Sequence, residues 1–181
     1  RVTMQLSELL VPAGSPANQE AARLAPQAEV GARIPLQEQA AKWVRRALPT
    51  LSAGRLVVFD YADSTPSMAR RPWTEWVRTY RGHGRGGHPL EHLGDQDVTC
   101  EVAVDQLAAV RPPRADRSQA EFLRAHGVEE LVADARQRWQ ERAAIGDLES
   151  LTARSRVSEA AALTDPAGLG AFRVLEWEAV S

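Results

Sequence analysis

Residues 54–62, Gly-Arg-Leu-Val-Val-Phe-Asp-Tyr-Ala, constrain the fold of this chain more than any other stretch. Their centre, residues 56–59, is a continuous apolar run that is rich in β-branched and aromatic side chains. A run this short, apolar on both faces, predicts a strand buried in the middle of a parallel sheet. Because an amphipathic helical pattern over residues 35–51 precedes it, the order of elements indicates an α/β layer fold.

The predicted strand ends in an acid and a phenol, Asp60 and Tyr61. In open α/β sheets, ligands bind at the carboxyl ends of the strands, so Asp60 is a candidate site residue. The alternative is an aspartate that only caps the following turn by bonding to its own backbone.

Length and composition limit the classes of protein that the chain can belong to. Its 181 residues fit one domain with a real core, and 44% hydrophobic with 25% charged residues is a globular composition. A net charge of -2 gives no general attraction to nucleic acid or to anionic lipid. The single Cys100 excludes an internal disulfide framework and favours a cytoplasmic location.

No apolar run reaches about 18 residues, so we expect no membrane span. No signal peptide opens the chain either. Since the first residue is Arg1 and not methionine, we expect a processed or incompletely represented piece of a protein.

The remaining pattern predicts a mixed set of elements. In the first half these are a strand within residues 2–11, a short helix and loop over 18–32, a strand over 76–81, a strand over 97–104 and a helix over 105–110. In the helix over 35–51, Trp43 falls on the apolar face and is predicted to lie in the core.

The second half is predicted to be mainly helical. Residues 111–117 read as a loop, and Ser118 with Glu121 forms a capping box that begins a helix ended by Gly127. Helices over 128–145 and 148–163 follow, the first with Leu131 on its apolar face, and a strand over 171–177 closes the chain.

Residues 82–89 form a glycine-rich loop with His83 and His88, and His92 follows. The spacing of these histidines is a weak metal-ligand pattern, so we predict no metal. The loop also lacks the Gly-Lys-Ser/Thr ending of a P-loop and the glycine spacing of a dinucleotide-binding turn. Neither phosphate-binding motif is therefore present in it.

Between residues 70 and 85, arginines alternate with Trp73, Trp76 and Tyr80. Arginine with aromatic residues is typical of single-stranded nucleic-acid binding. Given the negative net charge, we favour the alternative in which the rings pack in the core and the arginines face water, and we expect no nucleic-acid partner.

Four segments together resemble the MidA (DUF185) family of class I S-adenosylmethionine-dependent methyltransferases. Residues 53–61, A-G-R-L-V-V-F-D-Y, resemble that family's G-x-L-L-x-I-D-Y-G strand, and 76–83, W-V-R-T-Y-R-G-H, its T-L-x-x-Y-R-G-H segment. Residues 94–104 are similar to G-x-x-D-L-T-A-H-V-D-F, and 118–127 to T-Q-x-x-F-L-x-x-x-G. The ending L-T-D-P with F-R-V-L also fits, so the resemblance covers residues 31–177.

The departures from the family pattern concern the site. Ala62 stands where the family has glycine, and Cys100-Glu101 replaces Ala-His. The family's Glu-x-Gly-x-Gly cofactor loop and its Asn-Glu pair are absent. The resemblance therefore implies the C-terminal half of a Rossmann-like class I sheet, as one domain over 1–181 with a helical insertion over about 104–163 and an antiparallel final strand.

The activity that the resemblance implies is methylation of a protein side chain, with arginine as the acceptor and S-adenosylmethionine as the cofactor of the parent protein. This chain alone should bind that cofactor weakly or not at all. The pocket residues that we expect, without individual roles, are Asp60, Tyr61, Arg81, His83, Asp97 and Thr99.

A second reading is a non-catalytic assembly or adaptor module that binds a partner protein. In either case the predicted central strand needs a neighbour on both sides. If the chain is stable alone, its bare edge should be covered by a swapped partner, as in a homodimer, or by residues 2–11.

Overall fold

The computed structural model of the protein describes residues 6–9 and 14–179. Its α-helices are α1 Pro16–Leu24, α2 Glu38–Ala47, α3 Thr65–Met68, α4 Trp73–Trp76, α5 Val104–Ala108, α6 Gln119–Ala125, α7 Val128–Arg142 and α8 Leu148–Thr164. Its strands are β1 Arg55–Asp60, β2 Ala62–Asp63, β3 Val77–Arg81, β4 Gly84–Arg85, β5 Asp97–Cys100, β6 Val102–Ala103, β7 Ala115–Ser118 and β8 Arg173–Glu178. Short 3-10 helices occupy Leu48–Thr50 and Leu169–Ala171.

These elements group into two compact units. The first contains the described residues up to 46 together with 62–111, and the second contains 47–61 together with the described residues from 112 onward. The single domain that we expected over 1–181 stays a prediction.

The second unit is built on a three-stranded sheet in the order β1-β8-β7, and both neighbours of β8 are antiparallel to it. The prediction of an antiparallel final strand is thereby confirmed. The prediction that residues 56–59 lie in the middle of a parallel sheet is wrong, because among the described strands β1 pairs with β8 alone and forms an edge. Local sequence indicates a strand but does not determine its neighbours.

The helices of this unit follow their local signals. Ser118 accepts a hydrogen bond from the Glu121 N–H at 3.2 Å, and the Glu121 carboxylate accepts one from the Ser118 N–H at 2.7 Å, which is the predicted capping box. Gly127 has φ 85°, the left-handed conformation that ends α6 and favours glycine. Asp147 caps α8 by accepting from the Ser150 N–H at 2.9 Å.

The first unit contains two small sheets. β3 lies between β4 and β5 and is antiparallel to both, while β2 and β6 form a parallel pair. Met68, Trp76 and Ala103 are buried together and form the core of this unit. The helix α3 begins at Ser64, whose hydroxyl accepts from the Ser67 N–H at 3.4 Å.

A glutamine side chain completes the edge of β6. Gln37 donates from Nε2 to the Glu101 carbonyl at 2.6 Å and accepts the Ala103 N–H on Oε1 at 2.8 Å. The amide thus bonds to β6 as a neighbouring strand would. The bond joins the segment before α2 to the strand that leads into α5.

Several element predictions need correction. Trp43 is 54% exposed, so its predicted core position is wrong: the buried side of α2 is defined by Val44, one position further round the helix. The predicted loop over 111–117 contains the start of β7, which forms because β8 offers it a partner. The strand predicted over 97–104 is divided at Glu101 into β5 and β6, which join different sheets.

Other predicted elements agree with the structure to within a few residues at their ends. The strand over 76–81 is β3, the helix over 105–110 is α5, and the two long helices are α7 and α8. Leu131, predicted on the packed face of α7, is 69% exposed, which corrects that assignment. The strand predicted within residues 2–11 lies largely outside the described residues, and residues 6–9 are described without a strand.

Candidate functional site

Asp60 and Tyr61 lie at the carboxyl end of β1, as predicted. The Asp60 carboxylate accepts a hydrogen bond from the Tyr61 N–H at 2.9 Å, which is the capping role that we gave as the alternative. Burial raises the pKa of this carboxyl above its ordinary value, and the Tyr61 N–H opposes the shift. The Tyr61 ring packs edge-to-face against Phe172 at 5.7 Å between ring centres. The cap uses only one carboxylate oxygen of Asp60, so the same side chain can cap the turn and still contact a ligand through its other oxygen.

Arg81 and His83 lie in the hairpin that joins β3 to β4. The turn is made possible by Gly82, which has φ 60°, and Arg81 pairs with Gly84 across it. Both candidate side chains are exposed. They are therefore accessible to a ligand.

Asp97 and Thr99 lie on β5, where they are the register partners of Tyr80 and Arg78 on β3. Partners in an antiparallel pair share a face, and so do alternate residues of one strand. Asp97, Thr99, Tyr80 and Arg78 therefore lie on one face of this sheet, and Arg85, the partner of Tyr80 on β4, joins them. The guanidinium of Arg85 lies 5.3 Å from the centre of the Tyr80 ring.

The structure thus brings together two of the six predicted residues, Asp97 and Thr99, on a polar face that also carries Arg78, Tyr80 and Arg85. By the alternation of β3, Arg81 lies on the opposite face. Asp60 and Tyr61 belong to the second unit, and the other four belong to the first.

The glycine-rich loop is held by side chains that the sequence reasoning missed. Thr79 donates from its hydroxyl to the Gly87 carbonyl at 2.6 Å and accepts the Gly86 N–H on its own carbonyl at 2.8 Å. Gln96 donates to the carbonyls of His88 and Glu91 at 2.8 and 2.7 Å. In the sequence, Thr79 is marked only by its position on a predicted strand, and Gln96 only by an amide side chain near the loop.

The same contacts explain why the loop needs a glycine. A Cβ on Gly86 would lie 2.7 Å from the Gln96 Oε1 and 2.8 Å from the Thr79 Oγ1, both too close. The space in front of this glycine is filled by the protein's own side chains. A hollow of about 340 Å³ lies beside the loop, and residues lining it include Trp73, Arg78, Arg85 and His88.

A charged cluster that the sequence did not reveal links β2 and β3 with Arg71, which lies between α3 and α4, and with Glu101, which lies between β5 and β6. Arg71 donates to the Glu101 carboxylate at 2.6 Å and to Asp63 at 3.0 Å, and Arg78 lies 3.8 Å from Glu101. Glu101 is buried, and a buried carboxylate needs such partners. Glu101 therefore has a structural role in this chain.

No group of three or more His, Cys, Asp or Glu side chains gathers as a metal site among residues 6–9 and 14–179. Within the same residues, no helix combines the length and the hydropathy that a membrane crossing requires. The thiol of Cys100 is free, and burial raises its pKa.

The mixed α/β architecture with an antiparallel closing strand defines the class of protein as one with a methyltransferase-like fold. Residues 3–119 match the family model described as "Putative S-adenosyl-L-methionine-dependent methyltransferase". The chain therefore belongs to this family of methyltransferases, whose cofactor is S-adenosylmethionine. No curated protein matches the sequence.

Two solved structures from Burkholderia thailandensis share the fold. One, an uncharacterized COG1565 superfamily protein, is 21% identical with a TM-score of 0.66, and the similarity covers 91% of this chain and 43% of that one. The other, a COG1565 superfamily member bound to S-adenosyl-homocysteine, is 20% identical with a TM-score of 0.69, covering 92% and 42%. This chain spans less than half the length of either.

The described residues do not by themselves fit the cofactor of the family. In dinucleotide-binding α/β folds, a nucleoside-containing cofactor is held by a glycine turn that lets the backbone approach the ligand and by an acid that holds the ribose hydroxyls. The space in front of Gly86 is filled by the side chains of Gln96 and Thr79, so the backbone there is closed to a ligand, and Asp60 has only one carboxylate oxygen not used by the bond to Tyr61. The described part of the chain therefore lacks a complete cofactor cradle.

Proposed function

We propose that this chain is the C-terminal part of a MidA-like (DUF185), Rossmann-like class I methyltransferase that methylates a protein side chain, with arginine as the acceptor. The observation that carries the proposal is the family match over residues 3–119 in a chain whose last strand runs antiparallel beside β1. A neighbour with the same fold holds S-adenosyl-homocysteine, which is what remains when S-adenosylmethionine gives up its methyl group.

In this proposal the chain contributes the acceptor side of the site and the remaining polypeptide contributes the cofactor side. Asp60 and Tyr61 at the end of β1, and Arg81, His83, Asp97 and Thr99 around the β3–β5 sheet, are the residues that we propose to surround the pocket. The polar face with Asp97, Tyr80 and Arg85 carries charges of both signs, which suits an acceptor side chain and its flanking peptide.

The test is a calorimetric titration of S-adenosylmethionine into the longer protein of which this chain is proposed to be part, followed by transfer of a labelled methyl group to protein arginine. We expect saturable binding and labelled arginine. Absence of heat at millimolar ligand would overturn the enzyme reading.

A second candidate is an adaptor that binds a partner protein without chemistry. The observation that favours it is the exposed apolar side chains on α7, on α8 and on the segment that joins them, which are Leu131, Ile145, Leu148 and Leu151. Capture of a stable partner by a longer protein that binds no S-adenosylmethionine would support the adaptor. In the enzyme reading the same surface serves a protein substrate.

We further propose that the chain works in the cytoplasm and binds no nucleic acid. A free, half-buried Cys100 suits a reducing compartment. Trp76 is buried in the core and Arg71 is held by Glu101 and Asp63, so neither offers a stacking surface or a free charge. Tight binding of a single-stranded oligonucleotide that weakens steeply with salt would contradict this.

A further inference from the structure

The described segment 6–9 is anchored to the first unit through one carboxylate. Glu8 accepts a hydrogen bond on each of its carboxylate oxygens from the Arg33 guanidinium, at 2.5 and 2.6 Å. The leucines of the segment contribute little to the anchor, because Leu6 is 46% exposed and Leu9 is 83% exposed. The Arg33 guanidinium also holds the pKa of Glu8 below its ordinary value, so this side chain is a carboxylate at neutral pH.

The imidazole of His88 faces the same carboxylate. Its Nδ1 accepts the Leu90 N–H at 3.2 Å, so the neutral ring carries its proton on Nε2. That Nε2 lies 4.0 Å from the Glu8 carboxylate, which is longer than a hydrogen bond. A carboxylate that lay about 1 Å closer to the ring could bond to both Arg33 and His88, and such charge-assisted bonds are the strong ones. Glu8 therefore uses only part of what the two residues offer.

Trp73 supports both donors. The Arg33 guanidinium lies 4.9 Å from the centre of the Trp73 ring, and the His88 ring meets it edge-to-face at 5.4 Å between centres. Trp73 itself packs against the buried core of the first unit. Gln96 also donates to the His88 carbonyl at 2.8 Å and so holds the backbone of that residue. The donors are therefore positioned by contacts that do not involve Glu8, and they would stay in place if Glu8 left.

The hollow of about 340 Å³ beside the glycine-rich loop adjoins this group of donors. Trp73 and His88 belong to its lining, and so do Arg78 and Arg85. No acidic side chain is among the described residues that line it. The flanking residues of a segment that put a carboxylate in place of Glu8 would thus meet a space with positive charge on its walls.

We infer that Arg33, His88 and Trp73 form a binding site for an acidic side chain of a partner protein, and that Glu8 occupies this site as a built-in competitor. The occupant in the structure is a glutamate in a segment without helix or strand, which indicates the kind of segment that the partner provides. Displacement is feasible because both side chains of the ion pair are nearly half-exposed, and exposed pairs are weak. Binding of this kind needs no methyl transfer, so its test is independent of the proposed activity.

The test is an NMR titration of the 181-residue chain with the capped peptide Gly-Ser-Glu-Ser-Gly, followed at the indole N–H of Trp73. In a Glu8→Gln chain we expect saturable shifts with a dissociation constant about fivefold lower than in the wild type, because the competitor is gone. The same peptide with glutamine in place of glutamate should bind neither chain. The matched control Glu20→Gln removes a similarly exposed glutamate, paired with Arg23, and should bind like the wild type.

Arg33→Gln in addition to Glu8→Gln should abolish the shifts, and persistent binding would overturn the inference. Equal affinity of the wild type and the Glu8→Gln chain, or equal binding of the two peptides, would overturn it as well. Sodium acetate at the same concentration distinguishes a protein partner from a free carboxylate: shifts as strong as those of the peptide would contradict a protein partner. Glu8 and Arg33 are exposed, so we expect the variants to fold, and circular dichroism checks this. If the double variant unfolds, the comparison of Glu8→Gln with Glu20→Gln decides.

Discussion

β1 and β8 are adjacent strands with similar sequences and different environments. β1 carries Leu-Val-Val-Phe at its centre, and β8 carries Val-Leu-Glu-Trp. Residues 174–177 of β8 are all buried, Glu176 included, whereas no residue of β1 is. The difference is that β8 has a partner on each side and β1, among the described strands, has one.

Burial of these strands thus follows from their neighbours more than from their own hydropathy. Glu176 shows this most clearly, since a charged side chain is only 3% exposed in the paired strand. It is stabilised by Arg55 on β1 at 2.9 Å and Arg117 on β7 at 2.5 Å. An interior-type sequence at an edge therefore indicates a missing neighbour.

The largest expected effect is the difference in stability lost when a ring is removed from β8 and when one is removed from β1. Trp177→Ala in β8 removes a ring that is 1% exposed, and we expect a loss of about 3–5 kcal/mol in the free energy of unfolding. Phe59→Ala in β1 should cost about half of that or less, because the ring is already partly solvated. Denaturant unfolding measures both, and equal losses would contradict the contrast between the strands.

The next effect concerns the charged bridge across the sheet. Glu176→Ala leaves Arg117 and Arg55 without their carboxylate, and breaking a fully buried pair costs about 3–5 kcal/mol. We expect a smaller loss, since Arg55 remains half-exposed. The matched control is Glu178→Ala, whose exposed pair with Arg114 should contribute about 0–1 kcal/mol in the same unfolding experiment. A control as costly as Glu176→Ala would show that burial is not the cause.

The third prediction concerns β7, the second neighbour of β8, and the helix that follows it. Ser118 ends β7 and caps α6, so Ser118→Ala should cost about 1 kcal/mol. Ser118→Asp keeps an oxygen acceptor at the cap and should restore most of the loss. Thermal unfolding of the two variants side by side measures the difference, and equal destabilisation by both would argue against the cap.

The smallest effect is pH-dependent and lies at the end of β1. Because burial raises the pKa of Asp60, the folded state holds its proton more tightly than the unfolded chain does. Stability therefore falls as pH rises through the interval between the ordinary and the raised pKa. Asp60→Asn should match the wild type below that interval and be more stable above it, by about 0.5 kcal/mol or less. A variant that is less stable than the wild type at neutral pH would mean that the charged carboxylate is needed.

Local signals predicted much of the fold. The capping box at Ser118 and the glycine at 127 follow from patterns of a few residues and are present. The antiparallel direction of the closing strand was implied by the family resemblance and is also present. The partners of β1 and the strand β7 could not be predicted, because strand pairing joins residues that are far apart in sequence. Trp43 fell at the border of the apolar face of α2, where helical periodicity alone does not decide burial.

The candidate site was predicted less well than the fold. Asp97 and Thr99 were expected in the pocket because of the family resemblance, and register places them on one face of the β3–β5 sheet. The roles of Thr79, Gln96 and Glu101 depend on contacts across a loop and between strands, for which the sequence carries no local signal. The assignment of all six residues to a pocket stays a prediction.

If β1 lacks a neighbour because the rest of the methyltransferase fold lies outside this chain, the cofactor site should be incomplete as well. Calorimetric titration of S-adenosylmethionine into the 181-residue chain tests this most directly. We expect no saturable heat below millimolar ligand. Binding in the micromolar range by this chain alone would contradict it, because a complete cofactor site would then have to exist within these residues.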